Sequence, residues 1–178
     1  MPKRHLGTKN DAANFTNRDL LTQLPGTMQM YELVDTVPDT NEAVHDPTEF
    51  LNSLEPPDVP PHNLELKIGA PITLLRNVDP LTLCNGTCLA VKKLMPHVIE
   101  ATIMTGHAAE QDVFIPHIPI IPSDLPFQFR RLQFPVCLSF AMSINKAQGQ
   151  SLKVVGLNLQ SPCFSHGRLC WLFQSWQW

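Results

Sequence analysis

F-A-M-S-I-N-K-A-Q-G-Q-S-L, residues 140–152, is the stretch that decides the predicted fold. The apolar run 134–142 leads into it, and a second β-rich run, 152–159, follows it. Between the runs lies a short polar turn with a hydroxyl, amides, a cation and a glycine, contributed by Ser143, Asn145, Lys146, Gln148, Gly149 and Gln150. Small side chains and backbone amides on such a turn can approach an anion closely, and the lysine adds a positive charge. On residue types alone, an ordinary strand-to-helix connection is the more common explanation, because a lone Lys–Gly turn is weakly specific.

Residues 141–152 also resemble the fifth helicase motif of superfamily 1 DNA helicases, in the branch of RecD and the petite-integration-frequency helicases. Two further stretches, L-K-I-G-A-P-I-T-L-L-R-N at 66–77 and L-C-N-G-T at 83–87, are similar to the same branch and most similar to the helicases of Helitron-type transposons. The resemblance reaches Leu169 and concerns the C-terminal part of such an enzyme. It implies an α/β fold, a partial RecA-like second motor domain of a P-loop helicase with an inserted small SH3-like β-barrel.

Composition is that of a globular chain. The 178 residues are 43% hydrophobic and 16% charged, which allows one domain with a sizeable core or two small ones and excludes a disordered chain. The 17 prolines predict short strands and few long helices. No apolar run reaches the roughly 20 residues of a membrane span, and no apolar signal region follows the N-terminus. Five cysteines without a C-x-x-C pair favour a reducing compartment, for which we predict the nucleus, with mitochondria as the alternative.

Charge is distributed unevenly along the chain. Residues 1–59 carry 4 basic and 10 acidic side chains, a net charge of −6, whereas residues 60–159 carry 8 and 6, a net charge of +2. A phosphate-binding surface is therefore expected in the second half.

The predicted organisation has five parts. They are the start of the second RecA-like domain (1–34), an acidic, proline-rich connector (35–61), the inserted SH3-like barrel (62–121), the RecA-like continuation with the fifth motif (122–169) and an aberrant tail (170–178). Residues 9–24 have the spacing of an amphipathic helix that ends at Pro25-Gly26, with Ala13, Leu20, Leu21 and Leu24 on one face and Phe15 beside it. Residues 28–34 follow as a strand.

Residues 64–121 predict an antiparallel β structure. Short β runs occupy 64–68, 72–75, 88–94, 97–104 and 112–115. Asn85-Gly86 is the strongest hairpin signal, because both residues tolerate a positive φ. Short strands at this spacing favour a small barrel, and the resemblance implies one that helps to close over single-stranded DNA. Residues 118–126 are expected to form an extended connector.

The resemblance implies two roles within the polar turn. Ser143, Asn145 and Lys146 contact the DNA backbone, and Gln148, Gly149 and Gln150 lie near the nucleotide, so the turn couples nucleotide state to DNA grip. Contacts to phosphate alone suit a translocase that does not read bases.

Outside the turn, Arg76, Lys92 and Lys93 are candidate DNA-binding residues. A solvated strand edge is the more frequent explanation for paired lysines. Cys84 and Cys88 with His97 or His107 are a remote zinc alternative, because the paired ligand spacing of a zinc site is missing. We predict no catalytic residue and no metal site.

The sequence contains no G-x-x-x-x-G-K-[ST] and no strand ending in paired acidic residues. Intact members of the resembled family use ATP and Mg²⁺, and those two elements hold the phosphates and the metal. We therefore expect this chain to bind neither alone, to be inactive by itself, and to need an N-terminal motor domain in trans. The tail, C-W-L-F-Q-S-W-Q-W, also lacks the arginine of the sixth motif, which a shifted reading frame would explain.

The expected function is that of the C-terminal portion of an ATP-dependent 5′-to-3′ DNA helicase that binds single-stranded DNA weakly and without sequence preference. The family further suggests DNA repair, recombination and telomere maintenance. The alternatives are a non-catalytic nucleic-acid-binding β-barrel and a non-functional remnant of a transposon.

Overall fold

The computed structural model describes residues 4–7, 10–32, 34–36, 59–106, 108–121, 130–143 and 155–158. These residues form, in chain order, β1 (Arg4–Gly7), α1 (Asn10–Gln23), β2 (Gln29–Glu32), β3 (Val34–Thr36), β4 (Asn63–Leu66), β5 (Pro71–Leu74), β6 (Cys88–Leu94), β7 (Val98–Ile103), β8 (Asp112–Pro116), β9 (Ile118–Ile120), β10 (Arg130–Gln133), β11 (Val136–Leu138), β12 (Ala141–Ser143) and β13 (Val155–Asn158). No helix in this part of the chain is long and apolar enough to cross a membrane.

The chain forms two compact units. The first consists of Met1–Pro25 with Leu138–Trp178, and the second is Gly26–Cys137. The first unit is thus assembled from the two ends of the chain, and the second unit lies between them in sequence.

The described residues of the first unit form a parallel sheet with helix α1 packed on it. Strand β1 lies in the middle and pairs in parallel with β12 on one side and β13 on the other. Helix α1 follows β1 and packs against β1 and β12. Parallel strands covered by a helix are the arrangement of α/β domains.

The helix predicted at 9–24 is confirmed as α1, and part of its predicted face is confirmed. Ala13 and Leu21 are buried as expected. Phe15, expected beside that face, is 76% exposed and points into solvent. Asn17 is instead buried, because it lies one turn from both Ala13 and Leu21.

The described residues of the second unit form three small sheets. Its largest has the order β11-β5-β6-β7-β8, with antiparallel pairs from β5 to β8. The other two are β3-β10-β9 and β2-β4. Fully buried aliphatic side chains of the largest sheet form its core, among them Ile72, Leu74, Leu89 and Ile99. Among the described residues this sheet is open, and no closed barrel is present.

A buried aromatic cluster joins the smaller sheets of the second unit. The Tyr31 ring meets Phe134 edge-on at 4.9 Å between centroids, and the His117 ring lies 3.8 Å from Phe134. The Gln133 side chain donates to the Tyr31 carbonyl at 3.2 Å and accepts from the Phe134 N–H at 2.9 Å. Burial, aided by the nearby His97, lowers the pKa of His117 below its usual 6.5. The buried Nε2 atom of His117 has no hydrogen-bond partner among the described residues.

The hairpin predicted at Asn85-Gly86 is wrong in its form. Strand β5 ends at Leu74 and β6 begins at Cys88, so residues 75–87 connect them. The Thr87 N–H donates to the Cys84 carbonyl at 3.0 Å, and Gly86 alone of the pair has a positive φ, 87°. Asn85-Gly86 therefore makes the last turn of a longer connection, whereas a two-residue type I′ hairpin requires a positive φ at both residues.

Two strand predictions also change. The apolar run 134–142 is not one strand, because β11 ends at Leu138 and β12 begins at Ala141. The predicted connector 118–126 begins with β9, which pairs antiparallel with β10. Proline at position 119 had favoured a connector, but it occupies an edge strand, where its missing N–H removes no ladder hydrogen bond.

Candidate nucleic-acid interface

Ser143 lies where three parallel strands end together. It is the last residue of β12 and is in register with Gly7, the last residue of β1. Gly7 is in turn in register with Asn158, the last residue of β13. Ligands of open parallel sheets bind at the carboxyl ends of the strands. The fold therefore puts the beginning of the predicted DNA-contact turn at the edge where such a ligand would bind.

The remaining residues of this turn, Asn145, Lys146, Gln148, Gly149 and Gln150, lie outside the described residues. Their predicted roles stay predictions. Ser143 itself is 8% exposed, so its hydroxyl is largely covered in this structure.

Asn17 fixes the strand that carries Ser143. Its Oδ1 accepts from the Ala141 N–H at 2.7 Å, and its Nδ2 donates to the Ala141 carbonyl at 3.0 Å and the Leu138 carbonyl at 3.3 Å. Sequence reasoning missed this residue. The available signal was a polar side chain one turn from Ala13 and Leu21, on the apolar face of the predicted helix.

Strands β1 and β13 approach each other closely at Gly156. This glycine is in register with His5, and a Cβ at its position would lie 2.8 Å from Nδ1 of the His5 ring. Glycine inside a strand often marks such an approach. The ring fills the space that a side chain at position 156 would need.

In the second unit, Lys92 is held by two carboxylates. Its Nζ lies 3.1 Å from Glu100 Oε1 and also makes a short ion pair with Asp112, whose other oxygen accepts from the Thr102 hydroxyl at 2.7 Å. The hydrogen bond to Asp112, followed by that to Glu100, raises the pKa of Lys92, and the same Lys92 bond lowers the pKa of Asp112. The Lys92 side chain remains 51% exposed, so water screens these interactions.

A bulge in β6 puts Lys93 on the same side of the sheet. Val91 pairs with Ala101 and Lys93 pairs with Glu100, so Lys92 is the extra residue between two consecutive pairs. Such a bulge breaks the alternation of sides. The structure thus brings Lys92 and Lys93 together around Glu100 and puts exposed Arg76 in the 75–87 connection.

The described residues do not support the zinc alternative. They contain no group of three or more His, Cys, Asp or Glu side chains suited to a metal. The thiols of Cys84 and Cys88 instead approach the carbonyls of Pro80 at 3.2 Å and Gly86 at 3.4 Å. His107 lies outside the described residues.

Comparison with known proteins identifies relatives along most of the chain. Residues 49–94 match the family model for the 2B domain of the DNA helicase Pif1. The ATP-dependent DNA helicase PIF1 of Danio rerio is 28% identical over 155 residues, 86% of this chain and 23% of that protein. The PIF1 of Xenopus laevis is 29% identical over 164 residues, 92% of this chain and 24% of that protein. The chain thus spans about a quarter of the length of these relatives.

Solved structures agree in fold. The Pif1 helicase from Candida albicans superposes with a TM-score of 0.70 at 22% identity, over 95% of this chain and 41% of that one. Bacteroides Pif1 bound to single-stranded DNA gives 0.67 at 20% identity, over 94% of this chain and 36% of that one. The prediction of a RecA-like helicase α/β fold is confirmed at this level. By sequence and by fold, this chain is similar to a segment of Pif1 helicases that includes the region of the 2B domain.

Proposed function

We propose that this chain supplies DNA contact and nucleotide coupling to an ATP-dependent 5′-to-3′ DNA helicase and is inactive alone. The observation that carries the proposal is the position of Ser143, at the shared carboxyl ends of three parallel strands and at the start of the motif-like turn. A loop at this edge can bind a phosphate and respond to events at a neighbouring nucleotide.

We assign residues 1–34 and 122–169 to the second RecA-like motor domain and 62–121 to an inserted SH3-like barrel, joined through 35–61. Two observations support the insertion. The first unit is formed from both ends of the chain, and the 2B-domain match falls within the region between them. The antiparallel ladder from β5 to β8 provides consecutive strands of the kind that small barrels contain.

The partner in this proposal is single-stranded DNA, bound weakly and without sequence preference. Ser143, Asn145 and Lys146 contact its backbone, with Arg76, Lys92 and Lys93 as a second basic surface, and Gln148, Gly149 and Gln150 lie toward the nucleotide. Lys93 is expected to contribute more than Lys92, because two carboxylates already balance the charge of Lys92.

We propose that this chain alone binds neither ATP nor Mg²⁺. The sequence has no P-loop lysine motif, and the described residues contain no carboxylate group suited to a metal. A Pif1 helicase from Bacteroides has been solved with ADP-AlF3 and single-stranded DNA. We propose that a separate N-terminal motor domain supplies the phosphate- and metal-binding groups in trans.

Fluorescence anisotropy of the purified full chain with labelled oligothymidine at two salt concentrations, alongside an ATPase assay, tests this function. We expect binding that weakens with salt, because phosphate contacts release counterions, and no ATP hydrolysis. Hydrolysis by the chain alone would overturn the proposal.

A non-catalytic nucleic-acid-binding module is the second candidate, favoured by the exposed Lys92 and Lys93 on one side of the open sheet. Adding an N-terminal Pif1 motor domain and ATP separates the two candidates. A change in DNA affinity supports the helicase part, whereas an unchanged affinity supports the module. Aggregation without any DNA binding would indicate the transposon-derived remnant.

We further propose a nuclear location, with mitochondria as the alternative. Cys84 and Cys88 form no disulfide in the described part of the chain, which is consistent with a reducing compartment. Fractionation of cells that express a tagged full chain would test the location, and recovery from the secretory pathway would reject it.

A further inference from the structure

The Asn17 amide occupies the outer edge of β12. The His5 N–H donates to the Phe140 carbonyl at 2.9 Å, and His5 is in register with Ala141. In a parallel ladder, the N–H and C=O of Ala141 therefore point away from β1. Asn17 bonds both of these groups, so a helix side chain takes the place of a neighbouring strand.

These contacts use the bonding capacity of the amide well. Both N–H groups of Nδ2 donate, to Ala141 and Leu138, and Oδ1 accepts. The side chain is only 6% exposed, so loss of a partner would leave a buried polar group unsatisfied. No apolar residue can replace these three bonds.

The bonded residues lie immediately before the predicted DNA-contact turn. Leu138 and Ala141 flank the break between β11 and β12, and Ser143 is two residues beyond Ala141. Because β12 is short, its direction depends on how its first residue is held. Asn17 therefore sets the path along which the chain reaches Ser143.

We propose that Asn17 is a positioning residue for DNA binding, which links helix α1 to the turn that begins at Ser143. The inference rests on the proposed function, because it assumes that this turn contacts single-stranded DNA. Asn17 acts through the backbone of β12 and itself touches no DNA.

The test compares Asn17→Asp with Asn14→Asp in the full chain. Both variants add one negative charge to α1, but Asn14 is exposed. Aspartate at position 17 directs a carboxylate oxygen at the two carbonyls to which the Asn17 amide donates, and the resulting repulsion should move the side chain away from Ala141. We expect roughly fivefold to tenfold weaker oligothymidine binding for Asn17→Asp, and a change within about twofold for Asn14→Asp. Amide exchange at Ala141, measured by NMR, should accelerate in Asn17→Asp alone.

A second measurement needs no variant. Oligothymidine added to the wild-type chain should shift the Asn17 side-chain amide resonances and leave those of Asn14 in place. A natively folded Asn17→Asp variant that binds DNA as tightly as Asn14→Asp would overturn the positioning role. Asn17 side-chain amide resonances that do not shift when DNA binds would also overturn it. Absence of wild-type binding would reject the proposed function instead, and the exchange data would still decide whether Asn17 holds β12.

Discussion

Single side chains set the spacing within the parallel sheet of the first unit. His5 and Gly156 face each other in β1 and β13, and the imidazole lies where a Cβ on position 156 would be. His5 is exposed, so its ring has solvent into which it can move. The steric clash between a larger residue at position 156 and the His5 ring should therefore be confined to these two residues, and removing the ring should relieve it.

Gly156→Ala should lower the free energy of unfolding by about 1 kcal/mol, the lower end of the cost of overpacking, because the exposed His5 ring can move aside. His5→Ala in the same chain should restore most of that loss, because it removes the ring that the new methyl group meets. A double-mutant cycle by urea denaturation measures the coupling. Additive effects of the two substitutions would show that the close approach does not limit residue 156.

His117 makes stability depend on pH. Burial lowers its pKa in the folded chain below 6.5, so the unfolded chain binds the proton more readily. The contribution of neutral His117 is complete above pH about 6.5 and is lost as pH falls through the folded-state pKa. We expect the wild-type chain to unfold at a lower temperature as the pH falls below about 6.5.

The control for this prediction is His117→Leu, which cannot titrate and should flatten the dependence. His97→Asn should retain most of it, because His97 is the smaller of the two causes of the shift. An equally steep dependence in His117→Leu would assign the effect to another group.

At the scale of elements, the connection between β5 and β6 depends on one residue of its terminal turn. Gly86 has φ 87°, a value that side chains rarely adopt. Asn77 Oδ1 accepts a hydrogen bond from the Asn85 N–H at 2.7 Å. This bond uses only the backbone of Asn85, so it does not depend on the side chain at position 85. The two neighbours should therefore respond differently to substitution.

Gly86→Ala should cost about 1 kcal/mol of stability because it forces alanine into the left-handed region. Asn85→Ala should change stability by less than about 0.5 kcal/mol. Thermal melts of both variants in the same buffer measure the two losses of stability. Equal losses would favour the two-residue hairpin over the turn described above.

The bulged strand β6 gives a second prediction at this scale, on DNA affinity. Lys93→Gln should weaken oligothymidine binding and reduce the salt slope by roughly 0.7, the value for one phosphate contact on a single strand. Glu100→Gln should strengthen binding, because it removes a negative charge from the side that carries both lysines. Anisotropy titrations measure both effects, with Glu110→Gln, in the loop before β8, as the control. If Lys93→Gln and Glu100→Gln both leave the DNA affinity unchanged, this surface does not contact DNA.

Sequence patterns predicted helix α1 and the strands β4 to β8 because each is defined by local spacing and by turn residues. They missed Asn17, whose role depends on a backbone partner 124 residues away. They also merged β11 with β12, since the run 134–142 is apolar apart from Ser139 and the break follows from pairing with different neighbours. Residues were predicted well where their own segment determines the structure and poorly where a distant segment does.

At the scale of the whole molecule, the central strand of the first unit comes from the beginning of the chain and both of its neighbours come from the end. On a ribosome that adds roughly 5–20 residues per second, β1 therefore leaves the exit tunnel many seconds before β12 and β13 exist. The second unit has its strands earlier and can fold first. Pairing across so large a separation is slow, so β1 and the apolar side of α1 should depend on chaperones until β12 and β13 have left the ribosome.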